Sequence, residues 1–220
     1  MAESTRLVDR VQRALDEFLA ERSTDLAAMA PELTQLTDFA RGFLSGGKRF
    51  RALFCYWGWQ AVAGMPDPLD PLPGESNSAD LPGIVLAASA LEMFHAAALV
   101  HDDMMDNSDT RRGAPAAHKL FESLHAGNGW RGSASLFGQS AGLLLGDLLL
   151  GWSDELFDQG TALLATRSSG LAGRVEFTRM RTEVTAGQYL DILEENSWAT
   201  HPGSEALNRA HRVIVYKSAK

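Results

Sequence analysis

Apolar residues recur every three to four positions along most of the chain, and no segment alternates with a period of two between turn signals. This pattern predicts an all-α fold, a helical bundle with elements at roughly 4–21, 31–43, 48–63, 83–107, 117–126, 133–158, 171–196 and 204–220. Between the third and fourth elements, MPDPLDPLPGESNSADLPG holds five of the eight prolines (Pro66, Pro68, Pro71, Pro73 and Pro82) and reads as a surface loop. The 63 residues before it are too few and too amphipathic to close a core alone, so residues 1–220 are expected to form one helical domain. HRVIVYKSAK still runs at helical spacing at Lys220 with no stop signal behind it, which reads as a C-terminal truncation.

Within the fourth element, Ile84, Ala88, Leu91, His95, Ala98, Asp102 and Met105 step by three and four and share one stripe. That stripe ends in acid: Asp102, Asp103 and Asp106 crowd the C-terminal end of an apolar helix, where mutual repulsion and the helix dipole both disfavour them. Something positive must offset them. Arg111 and Arg112, just beyond, could fold back as salt-bridge partners, or the acids could sit in water. The sharper reading is a divalent metal, because two carboxylates one turn apart offer hard oxygen ligands and leave positions for water and phosphate oxygens, which suits Mg²⁺. A second stretch, SGGKRFRALF, sets a glycine pair before a helix start followed by Lys48, Arg49 and Arg51. Helix starts attract anions, and Lys48 with Arg51 at i, i+3 would add two cations on one face. The alternative is ordinary surface charge. Together the two stretches describe one metal-mediated and one directly cationic anion site, a pocket for two phosphorylated substrates.

Composition narrows the remaining classes. The chain is 45% hydrophobic, enough for a sizeable core, and its net charge of −8 leaves no broad basic face for a nucleic acid. The charged, amphipathic N-terminus does not read as a signal peptide. Glu92, His95 and Asp147 interrupt the greasiest stretches, so no transmembrane segment is expected. Cys55, the single cysteine, fits a reducing compartment, and the cytoplasm is the expected location; in FCYW it reads as a core residue.

GGKRFR, HDDMMD, TRRG, GQYLD (187–191) and YKSAK (216–220), in that order, resemble the trans-isoprenyl diphosphate synthase, or polyprenyl synthetase, family, and geranylgeranyl diphosphate synthases within it. The resemblance runs from about residue 40 to the last residue and implies an all-helical bundle with a central active-site cavity, usually a homodimer. It implies that Lys48, Arg51, His95 and Arg112 hold the diphosphate of isopentenyl diphosphate. Asp102 and Asp106, supported by Asp103, would hold Mg²⁺ against an allylic prenyl diphosphate that Arg111 and Lys217 also grip. Gln188 and Ser218, the latter standing where the family usually has Thr, would turn oxygen dipoles toward the carbocation; Gln188 and Asp191 could equally be a buried polar pair. In this family the fourth and fifth residues before the Asp-rich motif act as a floor for the growing chain. Here they are Ala98 and Ala97, small enough to imply a long product, geranylgeranyl diphosphate; the alternative is that they permit close helix packing. A terpene cyclase also ionises a prenyl diphosphate over aspartates, but Lys48, Arg51 and His95 count against one. A noncatalytic subunit or inactive fragment of a prenyl synthase is the other alternative. The family's second Asp-rich motif has no counterpart here, since GDLLL at 146–150 offers one Asp, so the 220 residues by themselves are expected to show little condensation.

Overall fold

The computed structural model describes residues 2–63, 79–164, 167–200 and 203–218. The expected proline-rich loop therefore lies largely outside the described residues, as do Ala219 and Lys220. The chain forms two compact units, Met1–Ala165 and Thr166–Lys220.

The first unit contains α1 (Ala2–Met29), α2 (Thr34–Phe43), α3 (Phe50–Ala63), α4 (Leu81–Met105), α5 (Ala117–Gly127) and α6 (Ala134–Ala162). α1 runs eight residues past its expected end. Thr24 returns its hydroxyl to the Ala20 carbonyl at 3.1 Å, Arg22 pairs with Asp25 at 3.1 Å, and the helix stops only where Ala30 is driven extended (φ −161°, ψ 136°) ahead of Pro31. A short 3₁₀ turn, Pro31–Leu33, then leads into α2. α4 starts two residues earlier than expected because Pro82 falls in its first turn, where the missing N–H costs nothing.

α4 is the central helix and packs most extensively on α6. Ala88, Ala90, Met93, Ala97 and Val100 are all fully buried. The α6 face that meets α4 and α5 carries Gly138, Gly142 and Gly146, spaced by four. A methyl at Gly138 would come within 2.4 Å of the His118 carbonyl, and one at Gly146 within 2.1 Å of the His101 ring. These notches let α6 approach closely enough to seat the end of α4 that carries the aspartates. By length and composition α4 and α6 each suffice to cross a membrane, so Glu92, His95 and Asp147 do not distinguish them from membrane spans. For α4, burial does: 72% of its most apolar window lies inside the protein, against 28% for α6.

The expected all-helical fold is what the structure shows, with one small addition. Thr110–Arg111 and Ala114–Pro115 form β1 and β2, an antiparallel pair with Arg111 opposite Ala114. The turn between them is Arg112 and Gly113, both left-handed at φ 54° and 80°, the combination that matches hairpin twist. Two-residue strands are too short to leave a period in a sequence.

The second unit holds α7 (Arg167–Ser197) and α8 (Ala206–Val213). The single helix expected over 204–220 is instead a 3₁₀ turn (Gly203–Glu205), α8 and a π-helical turn (Ile214–Ser218). The wide turn lies where the Tyr216–Lys217 backbone presses on α7 at Gly187: a methyl there would be 2.4 Å from the Tyr216 carbonyl carbon.

Candidate active site

The end of α4 is closed by its backbone. Asp106 is the C-cap, with its N–H on the Asp102 carbonyl at 2.9 Å; Asn107 turns left-handed at φ 51°, and the Ser108 N–H reaches back to the Asp103 carbonyl at 2.8 Å. This is a Schellman closure with Asn in place of the usual Gly. Helical spacing puts Asp102 and Asp106 one turn apart at the rim of this end and leaves Asp103 on the buried side.

Asp103 is 0% exposed. Arg111 reaches it from β1: Nε donates to Asp103 Oδ1 at 2.9 Å, while Nη2 bonds the same oxygen and also Asp102 Oδ2 at 3.3 Å. The bond to Asp103, ahead of the surrounding carboxylate charge, raises the Arg111 pKa. Asp103 Oδ2 is buried without a hydrogen-bond partner. Of the three aspartates, then, Asp103 is placed to anchor Arg111, whereas Asp102 is partly open and Asp106 exposed. Among the described residues no three His, Cys, Asp or Glu side chains group closely enough to enclose a metal. Two carboxylates one turn apart fit a cation that takes most of its oxygens from a diphosphate and water, which is how Mg²⁺ is commonly held. Asp147 of GDLLL instead faces His101, 3.6 Å from its Nε2.

Two turns down the same helix is a recess of a different kind. Gly46, Gly47, Glu92, His95 and Arg112 are among the residues that line it. Gly46 and Gly47 are both left-handed (φ 66° and 88°), and a methyl on Gly47 would stand 3.4 Å from Arg112 Nη1. Burial, followed by the charges of Arg51, Arg112 and Arg111, depresses the His95 pKa to about 4, with Asp102 pulling weakly the other way. Arg51 is also lowered, first by burial, with Glu92 opposing and Arg112 adding to the shift. His95 is thus a neutral ring among cations at ordinary pH.

The expected pairing of Lys48 with Arg51 on one helical face is not found. Arg49 is left-handed at φ 49°, so α3 starts only at Phe50; Lys48 stays in the loop with its ammonium 5.8 Å from the Phe50 ring centre. Arg49 itself, to which the sequence attached no role, is buried. Its guanidinium bonds the Leu44 carbonyl, Gln12 and, at 3.5 Å, Glu92 Oε2, and Glu92 Oε1 accepts the Ala52 N–H at 3.1 Å. Nothing local could have revealed this pair, whose members lie 43 residues apart.

The hairpin divides the two adjacent arginines. Arg111, in the strand, goes to the aspartates, and Arg112, in the turn, goes to the glycine loop. Ala97 is fully buried, and Ala98 is half-buried on the Asp102 stripe. In the second unit Lys217 pairs with Asp191, Gln188 lies half-buried one residue from Gly187, and Ser218 ends the π turn.

The sequence model of the family described as polyprenyl synthetase matches residues 34–220. Geranylgeranyl pyrophosphate synthase 9, chloroplastic, of Arabidopsis thaliana is 30% identical over 180 residues, covering 80% of this chain and 41% of its own. Nonaprenyl diphosphate synthase of Mycobacterium tuberculosis is 28% identical over 197 residues, covering 86% and 47%. Among solved structures, geranylgeranyl pyrophosphate synthase from Corynebacterium glutamicum, complexed with isoprenyl diphosphate and magnesium, is 32% identical with a TM-score of 0.82, over 96% of this chain and 55% of that one. Farnesyl diphosphate synthase of T. brucei, at 20% identity, a TM-score of 0.69 and coverage of 96% and 57%, shares the fold. The chain spans about half the length of these proteins. The match over residues 34–220, which takes in all the ordered motifs, shows that the chain belongs to the polyprenyl synthetase family.

Proposed function

We propose that residues 1–220 act as an isoprenyl diphosphate synthase domain, a trans-prenyltransferase that joins isopentenyl diphosphate to an allylic prenyl diphosphate. The observation that carries this reading is the division of Arg111 and Arg112 by the β1–β2 turn, one toward a carboxylate pair and the other toward a cationic recess, because a condensation of two diphosphates needs two unlike anion sites.

In this reading Asp102 and Asp106 hold Mg²⁺ against the allylic diphosphate. Bound there, the ion neutralises charge that builds on the departing diphosphate. Arg111, anchored by Asp103, presents its cation beside that charge. In the recess, the Gly46–Gly47 backbone, Lys48, Arg51, His95 and Arg112 hold isopentenyl diphosphate without metal, and a proton on His95 becomes favourable once the anion arrives. The allylic C–O bond breaks, the alkene of isopentenyl diphosphate attacks C1, and a proton leaves, by the family's mechanism to the released diphosphate. Lys217 is assigned to the allylic diphosphate, and Gln188 and Ser218 to the carbocation, on the family pattern alone.

The product we propose is geranylgeranyl diphosphate, supported by small residues at Ala97 and Ala98 and by the names of the relatives. Ala98, on the Asp102 stripe, is the better placed of the two, and Ala98→Phe is expected to shorten the product. A homodimer and a cytoplasmic location complete the proposal. Product analysis tests it. A polypeptide carrying this chain, given isopentenyl diphosphate, an allylic diphosphate and Mg²⁺, is expected to form a prenyl diphosphate five carbons longer per cycle. Hydrocarbon released from the allylic substrate alone would favour a cyclase instead.

A further inference from the structure

Resting on that reading of the recess, we propose that Glu92 is a positioning residue for the diphosphate bound there, acting through Arg49 and the first turn of α3 on the glycine loop that precedes them. A buried carboxylate is an odd neighbour for a diphosphate, since its charge alone repels the ligand. Its bonds explain its presence. Oε1 accepts the Ala52 N–H at 3.1 Å, one of the donors that a helix start leaves free, and Oε2 faces Arg49 Nη1 at 3.5 Å. Arg49 continues to the Leu44 carbonyl, at the C-cap of α2, and to Gln12 of α1.

Glu92 thus holds the end of the segment from Ser45 to Arg49 directly, and its start only through Arg49, which reaches the Leu44 carbonyl. Within that segment Gly46 and Gly47 take the left-handed backbone without steric cost, whereas Arg49, left-handed as well, needs surroundings that hold it there. Glu92 lies one turn before His95 on the same helix, so the carboxylate that anchors the loop also sets its spacing from the imidazole and from Arg112, which meets the loop at Gly47. The device trades favourable charge for fixed geometry.

The trade gives the test its sign. If Glu92 were only a charge, Glu92→Gln would bind inorganic pyrophosphate more tightly in EDTA, where the Asp102–Asp106 site is idle. As a positioning residue, its loss weakens metal-free pyrophosphate binding by about ten- to a hundredfold, the range typical when a supporting partner of a binding group is removed. Pyrophosphate uptake that requires Mg²⁺ stays unchanged, a split that general destabilisation would not produce. Glu92→Asp, which keeps the charge with a shorter reach, recovers part of the loss. Should Glu92→Gln fail to fold, Arg49→Lys serves: it keeps the positive charge but cannot span Glu92, Leu44 and Gln12 together, and it too is expected to weaken metal-free binding. Equal or tighter metal-free binding in whichever variant folds overturns the proposal. A wild-type chain that binds no pyrophosphate without metal would instead overturn the reading of the recess, and this inference with it.

Discussion

The recess beneath Gly46 and Gly47 and the carboxylate end of α4 sit on one helix, yet they solve the problem of gathering like charges in opposite ways. In the recess one buried cation, Arg49, is locked to Glu92 beneath the loop, while Lys48, Arg51 and Arg112 stay exposed and the half-buried His95 stays neutral among the arginine charges. At the helix end one aspartate is buried to hold Arg111, and the other two stay near solvent. In the proposed reading, a site that must bind an anion by itself gains from a backbone held in place beneath its exposed cations. A site completed by a metal and its ligand needs only two correctly spaced carboxylates and room beside them.

The sharpest way to break this contrast is to remove one carboxylate from the rim. Asp102→Asn and Asp106→Asn are each expected to cut Mg²⁺-dependent condensation by about 10²–10³, the usual cost of one preorganised group that stabilises charge in a transition state. Metal-free pyrophosphate binding should not change in either variant. Parallel losses of both would merge the two sites into one.

Next in size are changes in the recess. Lys48→Ala and His95→Ala are expected to weaken isopentenyl diphosphate by about ten- to a hundredfold, or roughly 1.5–3 kcal/mol, as for loss of a charged hydrogen-bonding partner. The allylic substrate should be little affected, and separate titrations of the two KM values check this.

A smaller effect separates Asp103 from its neighbours. Asp103→Asn leaves Arg111 half-held but free to turn toward water, so a stability loss of about 1–3 kcal/mol is expected by denaturant titration. The exposed Asp106→Asn, by comparison, should leave the unfolding midpoint within about 0.5 kcal/mol of wild type.

The last effect is a pH slope, spread over several pH units. His95 titrates near 6.5 when unfolded and near 4 when folded, because burial and then the arginine charges disfavour its proton. The unfolded chain therefore binds the extra proton first, and the stability gained from a neutral His95 is complete above about pH 6.5 and lost as pH falls toward 4. His95→Gln should flatten that part of the curve, and saturating pyrophosphate should move the His95 titration upward, measurable by NMR of the ring.

Much of this was legible in the residues. The step of three and four that carries His95, Ala98 and Asp102 along one stripe is a helical signal, and α4 holds them so. The paired carboxylates are local in sequence, and the helix places Asp102 and Asp106 one turn apart as their spacing implied. What escaped was non-local or too short to be periodic. Glu92 read as an interruption of a greasy run, although its partner is Arg49, and the i, i+3 pairing of Lys48 with Arg51 failed because a left-handed Arg49 delays the helix. The Arg112–Gly113 turn that parts the two arginines lacks the Asn-Gly or Asp-Gly signature of its type. The burial of Asp103 follows from its place on α4, about 100° around the helix from Asp102, and its partner Arg111 lies beyond the helix in a strand too short to read.

The central claim is that α4 carries two anion sites, one dependent on metal and one not. Calorimetric titration of the chain with inorganic pyrophosphate, first in EDTA and then in Mg²⁺, tests it most directly. The expected result is one site in EDTA that Lys48→Ala weakens and Asp102→Asn does not, and a second that forms only with Mg²⁺ and is lost in Asp102→Asn. A single site under both conditions, or an EDTA site that disappears in Asp102→Asn, would contradict it.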